Sequence, residues 1–159
     1  VDEQLMTTAT LTIPGWEFGS GKPCCAVLAC AVAAQRPFQD AWQWMKKRKS
    51  ARWKGGMFNN DIIELLEGFN VKYKRVPDCK GRTLGAFAKQ ATPGTLYYVV
   101  TTRHAQTLLN GTVMDQRGPK PVTEFWGRRK KIEWVLEIDT GEQDPATFGL
   151  PLFDYNGGK

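Results

Sequence analysis

The chain has a single histidine, His104, so imidazole chemistry near neutral pH must run through that residue. It opens the stretch His104 to Leu109, which leads through Asn110-Gly111 into Thr112 to Gln116. Asn-Gly between two such runs is the strongest short-range hairpin signal, because both residues accept the left-handed backbone of a two-residue turn. That turn sets Leu109 opposite Thr112, Gln106 opposite Asp115 and His104 opposite Arg117. Side chains alternate along a strand, so His104, Gln106, Asp115 and Arg117 share one face. His104 and Asp115 become diagonal neighbours, roughly 7–8 Å apart in the backbone and within side-chain reach. Asp115 is then placed to hold one ring nitrogen and aim the other at a nucleophile.

The nucleophile must come from the other half of the chain. The cysteines are Cys24, Cys25, Cys30 and Cys79. Cys25 opens an Ala-rich stretch running to about Ala34 that is apolar all round, which predicts a helix buried at the centre of the domain. A thiol at a helix N-terminus feels the positive end of the helix dipole, which favours thiolate. Cys25 is therefore the candidate nucleophile, with Cys24 the alternative one residue away. Cys30 reads as packing and Cys79 as a loop or edge residue. The plainer alternative is a buried structural cysteine, a satisfied sheet histidine, and Asp115 paired with Arg117. Three cysteines crowd into seven positions, and adjacent ones are poor disulfide partners, so an intracellular protein with reduced thiols is expected. With no Cys-x-x-Cys and one histidine, neither a metal site nor a cofactor is expected.

These residues need elements to carry them. Residues 1–23 read as a lead-in containing a short alternating strand, Thr8 to Ile13, stopped by Pro14-Gly15. After the Cys25 helix, a second is predicted from Phe38 to about Lys49. A third, capped by Asn60 or Asp61, carries Ile62, Ile63, Leu65 and Leu66. Val71 to Val76 largely alternates as a strand, Thr83 to Gln90 is a short helix, and Gly94 to Thr102 is rich in β-formers. A last strand is predicted over Lys131 to Ile138. Residues 140–159, rich in Gly, Pro and Asp, form a tail. Helices first and an antiparallel sheet after them predict an α+β fold, with residues 1–139 as one domain.

Composition narrows the classes. Charged residues at 24% and hydrophobic ones at 42% are ordinary for a globular domain and exclude a disordered chain. No apolar run approaches the roughly 18 residues of a membrane span, so no membrane association is expected. The net charge of +6 draws the protein weakly towards acidic partners. Its basic residues concentrate in Lys46, Lys47, Arg48 and Lys49 and in Arg128, Arg129, Lys130 and Lys131. Such clusters are usually solvated faces, but beside Trp42, Trp44 and Trp53 they also outline a surface for nucleic acid or an acidic protein.

Cys25-Ala26-Val27-Leu28-Ala29, followed by Arg36-Pro37-Phe38, resembles the nucleophile helix of small papain-like proteins. These are common in bacteriophages and similar to bacteriocin-processing cysteine peptidases. His104-Ala105, Asn110-Gly111 and Asp115 resemble the same family's histidine segment, so the match runs from about residue 20 to 117. The resemblance implies a papain-like fold and a hydrolase triad, with Cys25 as nucleophile, His104 as base and Asp115 as the orienting residue. It also implies a protein or peptide substrate, or a host or virion protein partner, and a place in the host cytoplasm or the virion. Where relatives carry an upstream Gln that helps bind the oxyanion, this chain has Gly19. Ser20, Gln106 and Trp16 are the candidate substitutes, beside the Cys25 backbone N–H. Turnover on an amide, a silent scaffold that only binds, and a nucleic-acid module are the three functions to separate.

Overall fold

The computed structural model describes residues 9–19 and 23–140. A 3-10 turn at Trp16–Gly19 precedes three helices: α1 (Cys25–Ala34), α2 (Phe38–Arg48) and α3 (Asn59–Gly68). Then come β1 (Lys72–Arg75), α4 (Leu84–Gln90), β2 (Leu96–Thr101), β3 (His104–Leu109), β4 (Thr112–Asp115) and β5 (Gly118–Pro121). A second 3-10 turn at Val122–Glu124 leads to β6 (Ile132–Asp139). The strands form one antiparallel sheet in the order β1-β6-β2-β3-β4-β5, and the fold is mixed α+β as expected. Among the described residues, no helix is long and apolar enough to cross a membrane.

α1 carries no polar side chain, and Val27 to Ala33 are all buried. Its small residues let the helix lie close against the sheet, where Tyr98, Val100, Trp134 and Leu136 complete the first core cluster. Each buried Val or Leu contributes about 1.5–3 kcal/mol. A second cluster covers the other face of the sheet, where Leu84 and Phe87 of α4 pack with Val99, Leu108, Val113 and Val135. Covered on both sides, β2 is buried at every position. That explains a continuous apolar run where an exposed sheet would alternate.

The chain leaves α1 through Gln35, whose left-handed backbone (φ 55°) closes the helix. The Gln35 side chain is buried and takes both backbone groups of Thr10. Its Oε1 accepts from the Thr10 N–H at 3.0 Å, and its Nε2 donates to the Thr10 carbonyl at 2.8 Å. This corrects the strand expected over Thr8 to Ile13. Over its described part no strand forms, because a side-chain amide supplies the pairing and Ala9, Leu11 and Ile13 sink into the core.

The cap of α3 is also corrected. Asp61 lies inside the helix and reaches back, its Oδ2 accepting from the Phe58 N–H at 2.9 Å. Lys49 Nζ stands 3.1 Å from the same carboxylate and Arg48 Nε 3.7 Å, so the end of α2 is clamped to the start of α3. One edge strand, β5, lay outside the sequence reading. Pro119 and Pro121 cannot donate to a ladder, and only an edge position tolerates them. Gly118 there has φ 100°, and a Cβ would stand 3.1 Å from the Trp16 ring, so only glycine fits. The expected tail from 140 lies, past Thr140, outside the described residues.

Candidate active site

The hairpin forms in the expected register from Leu109 opposite Thr112 to Thr107 opposite Met114, but β4 stops at Asp115, which pairs with Gly118, so Arg117 lies in the β4–β5 turn and not opposite His104 as expected. Asn110 and Gly111 both take positive φ, 50° and 77°. Continuing that register brings Gln106 opposite Asp115, and His104 Nε2 lies 3.0 Å from Asp115 Oδ2. Asp115 is buried and more fully engaged than a simple partner. The Arg117 N–H donates to its Oδ1 at 2.8 Å, and Trp126 Nε1 donates to its Oδ2 at 3.1 Å. Burial would raise the Asp115 carboxyl, but the hydrogen bonds from His104, Arg117 and Trp126 outweigh it and hold it below the usual range.

Nε2 is committed to Asp115, and the His104 ring shares a cleft lining with Cys25, close enough for each group to bias the other's charge. Burial disfavours the charged ring. The hydrogen bonds to Asp115 and Cys25, with their charges, prevail and raise the His104 pKa. The sulfur answers in the opposite sense. Burial would raise the Cys25 thiol, but the His104 hydrogen bond and charge, with the backbone groups of Ala105 and Ala26, lower it. Both shifts favour a thiolate–imidazolium pair.

The two neighbouring cysteines are separated by environment. Cys24 is fully buried in the first core cluster, whereas Cys25 is half-buried and lines a cleft of about 340 Å³. His104 and Ala105 form one wall of that cleft, with Met57, Ile62 and Val100 also in its lining. The loop carrying Gly55 closes the cysteine end. At φ 115° its missing Cβ would meet the Pro23 carbonyl at 3.0 Å and Cys24 Cβ at 3.3 Å, so only glycine lets the loop approach so closely. Cys30 packs in the core, its thiol pushed up to about 12 by burial. Cys79 sits in a loop as expected, but buried in the second cluster. The four cysteines form no disulfide.

The oxyanion candidates fare differently. Gln106 is fully buried and its Nε2 donates to the Val99 carbonyl, so it is corrected: the amide nitrogen is engaged within the sheet and the residue does not line the cleft. The Trp16 ring lies against Gly118. Ser20 lies outside the described residues. The basic clusters are partly committed within the fold. Arg48 pairs with Glu64 as well as Asp61, and Lys49 holds Asp61. Arg128 donates to the Phe125 carbonyl, and Lys130 donates to the Thr102 carbonyl while standing 4.8 Å from the Trp126 ring. Lys46, Lys47, Arg129 and Lys131 are exposed.

Trp126 was missed from the sequence. Its ring meets that of His104 edge-on at 5.0 Å, and the Arg117 guanidinium lies 4.5 Å from its centre. It is 46% exposed, so the indole forms a lid between the His104–Asp115 bond and water. The available signal was faint: an aromatic pair, Phe125-Trp126, followed by Gly127 and a basic run. Comparison with family models, with curated proteins and with solved structures finds no match for the chain.

Proposed function

We propose that the protein is a papain-like cysteine hydrolase acting on an amide bond, with peptide hydrolysis the default reaction. The observation that carries this reading is that Cys25 and His104 line one open cleft, while His104 Nε2 lies 3.0 Å from the buried Asp115 carboxylate. Cys25 is the first residue of α1, so its own N–H has no acceptor within the helix and is available to an oxyanion.

In this mechanism the thiolate attacks the amide carbonyl carbon and the C=O pair moves onto oxygen. As the tetrahedral adduct collapses, the C–N bond breaks and the His104 imidazolium gives its proton to the leaving amine. His104 then takes a proton from water, whose oxygen attacks the thioester. The acid leaves, and the sulfur departs again as thiolate. Asp115 stabilises each imidazolium stage and remains ionised throughout. The likeness to phage and bacteriocin-processing papain-like proteins belongs to the same proposal, as do a protein substrate and a host or virion setting.

A fluorogenic peptide library and an electrophilic thiol probe test the reading. Wild type should turn over substrate and be labelled, and Cys25→Ala should do neither. His104→Ala should lose about 10²–10⁴ in rate. Labelling without turnover would move the assignment to a scaffold that binds a protein partner. DNA affinity that falls steeply with salt and with Lys46→Glu and Lys47→Glu would move it to the nucleic-acid module. An inert Cys25 thiol at neutral pH overturns the hydrolase reading.

A further inference from the structure

β2 and β6 lose register beside the cleft. Val100 pairs with Trp134, but Thr101 pairs with Ile132, so Glu133 is an extra residue with no partner on β2. This is a β-bulge, a device that re-aims side chains and recurs beside active sites. Its effect follows from the residues on either side. Ile132 belongs to the second core cluster and Trp134 to the helix-facing one. Glu133 is delivered into the lining of the cleft that holds Cys25. A ladder without the bulge would have shifted the flanking residues by one and changed their faces. Glu133 is exposed, and among the described residues it takes part in no ion pair or side-chain hydrogen bond.

The cleft that Glu133 lines is mixed, with Asn59 and Thr101 beside an apolar part. Met57, Ile62 and Val100 line the same cleft. An aliphatic stem suits those walls, and a terminal cation suits the carboxylate. We infer that Glu133 is a specificity residue, and that the cleft takes a lysine or arginine side chain of the substrate close to the scissile bond. The inference rests on the hydrolase reading of the Cys25 site. The protein's overall positive charge does not oppose it at this range, because exposed charges farther than about 8 Å away are largely screened at physiological salt. Arg103 is the competing charge. It also lines the cleft, but from the tip of the β2–β3 turn, where its backbone takes φ 59°.

The test uses the full chain and peptidyl acyloxymethyl ketones carrying lysine, its neutral isostere norleucine, or glutamate at the first or second residue before the electrophile. Iodoacetamide serves as the uncharged control. Wild type should react about three- to fivefold faster with the lysine probe than with the norleucine probe at one of the two positions, the size an exposed ion pair supplies. Glu133→Gln should bring that ratio to one while leaving iodoacetamide labelling of Cys25 unchanged. Glu133→Lys should favour the glutamate probe. Arg103→Gln should sharpen the lysine preference. Equal lysine and norleucine ratios in wild type and Glu133→Gln overturn the role of Glu133 while leaving the hydrolase reading intact. A glutamate preference in wild type that disappears in Arg103→Gln overturns it in favour of the arginine. Failure of iodoacetamide itself to label Cys25 removes the hydrolase reading, and this inference with it.

Discussion

Cys24 and Cys25 are adjacent in the chain and opposite in environment: the first is sealed at 0% exposure in the core, and the second opens onto the cleft beside His104. Limited alkylation of the native protein should therefore modify Cys25 first and leave Cys24 and Cys30 protected, as peptide mapping by mass spectrometry would read. The pH dependence has a definite sign. His104 lowers the Cys25 thiol, so alkylation should persist below the range of an ordinary thiol. In His104→Ala the burial and backbone contributions remain and the imidazole contribution is gone, so the midpoint should rise. A midpoint that does not move contradicts the pair.

The His104–Asp115 bond makes a second prediction. Asp115→Asn keeps the shape but removes the charge that holds the imidazolium, and turnover should fall by about 10²–10⁴. Stability should respond in a defined window. The lowered Asp115 pKa contributes stability that is present above the ordinary carboxylate range and lost as pH falls through the lowered value. The raised His104 pKa contributes stability that is complete below the ordinary imidazole value and lost as pH rises through the raised one. The difference between wild type and variant in urea should thus be widest between those two limits and shrink on either side.

Asp61 offers a parallel test remote from the chemistry. Burial would raise its carboxyl, but the Phe58 N–H, Lys49 and Arg48 together lower it. Asp61→Asn should destabilise the fold by about 1–3 kcal/mol at neutral pH, because the Phe58 N–H, Lys49 and Arg48 lose the charge of a buried acceptor. The two denaturation midpoints should converge as pH falls through the lowered Asp61 value. Convergence at the ordinary carboxylate range would mean that the α2–α3 clamp is not formed.

Leu28 measures the packing of α1, the helix that begins at Cys25. It is fully buried between α1 and its neighbours. Leu28→Ala should cost about 2–5 kcal/mol in chemical denaturation. Because Leu28 does not line the cleft, Cys25 reactivity below the unfolding transition should be nearly unchanged.

Gly55 joins stability to the site. Gly55→Ala places a Cβ within 3.0 Å of the Pro23 carbonyl at a φ that side chains rarely adopt. A loss of about 1–3 kcal/mol is expected, accompanied by slower Cys25 labelling as the cleft wall moves. Unchanged labelling would show that this loop does not shape the cysteine's surroundings.

Local chemistry and periodicity determined much of this protein. Cys25 to Ala34 could only be a buried helix, since its residues are small and apolar on every side. Asn110-Gly111 fixed a two-residue turn, and alternation on its strands was enough to bring His104 and Asp115 together. Those are short-range rules, and they need only neighbours in the chain. What they could not reach depended on distant partners. The Thr8 to Ile13 pattern resembled a strand until the Gln35 side chain took the Thr10 backbone groups, across 25 positions. Gln106 carried the right chemistry for an oxyanion donor and the right face of its strand, yet Val99 claims its amide. Trp126 comes to Asp115 from an irregular segment with no period to read. Which of Cys24 and Cys25 opens onto the cleft depended on which one the core enclosed, and the place of Glu133 in the cleft lining on one unmatched residue between two strands. In each case the deciding energy belongs to a contact between segments far apart in the chain, which composition and spacing do not specify.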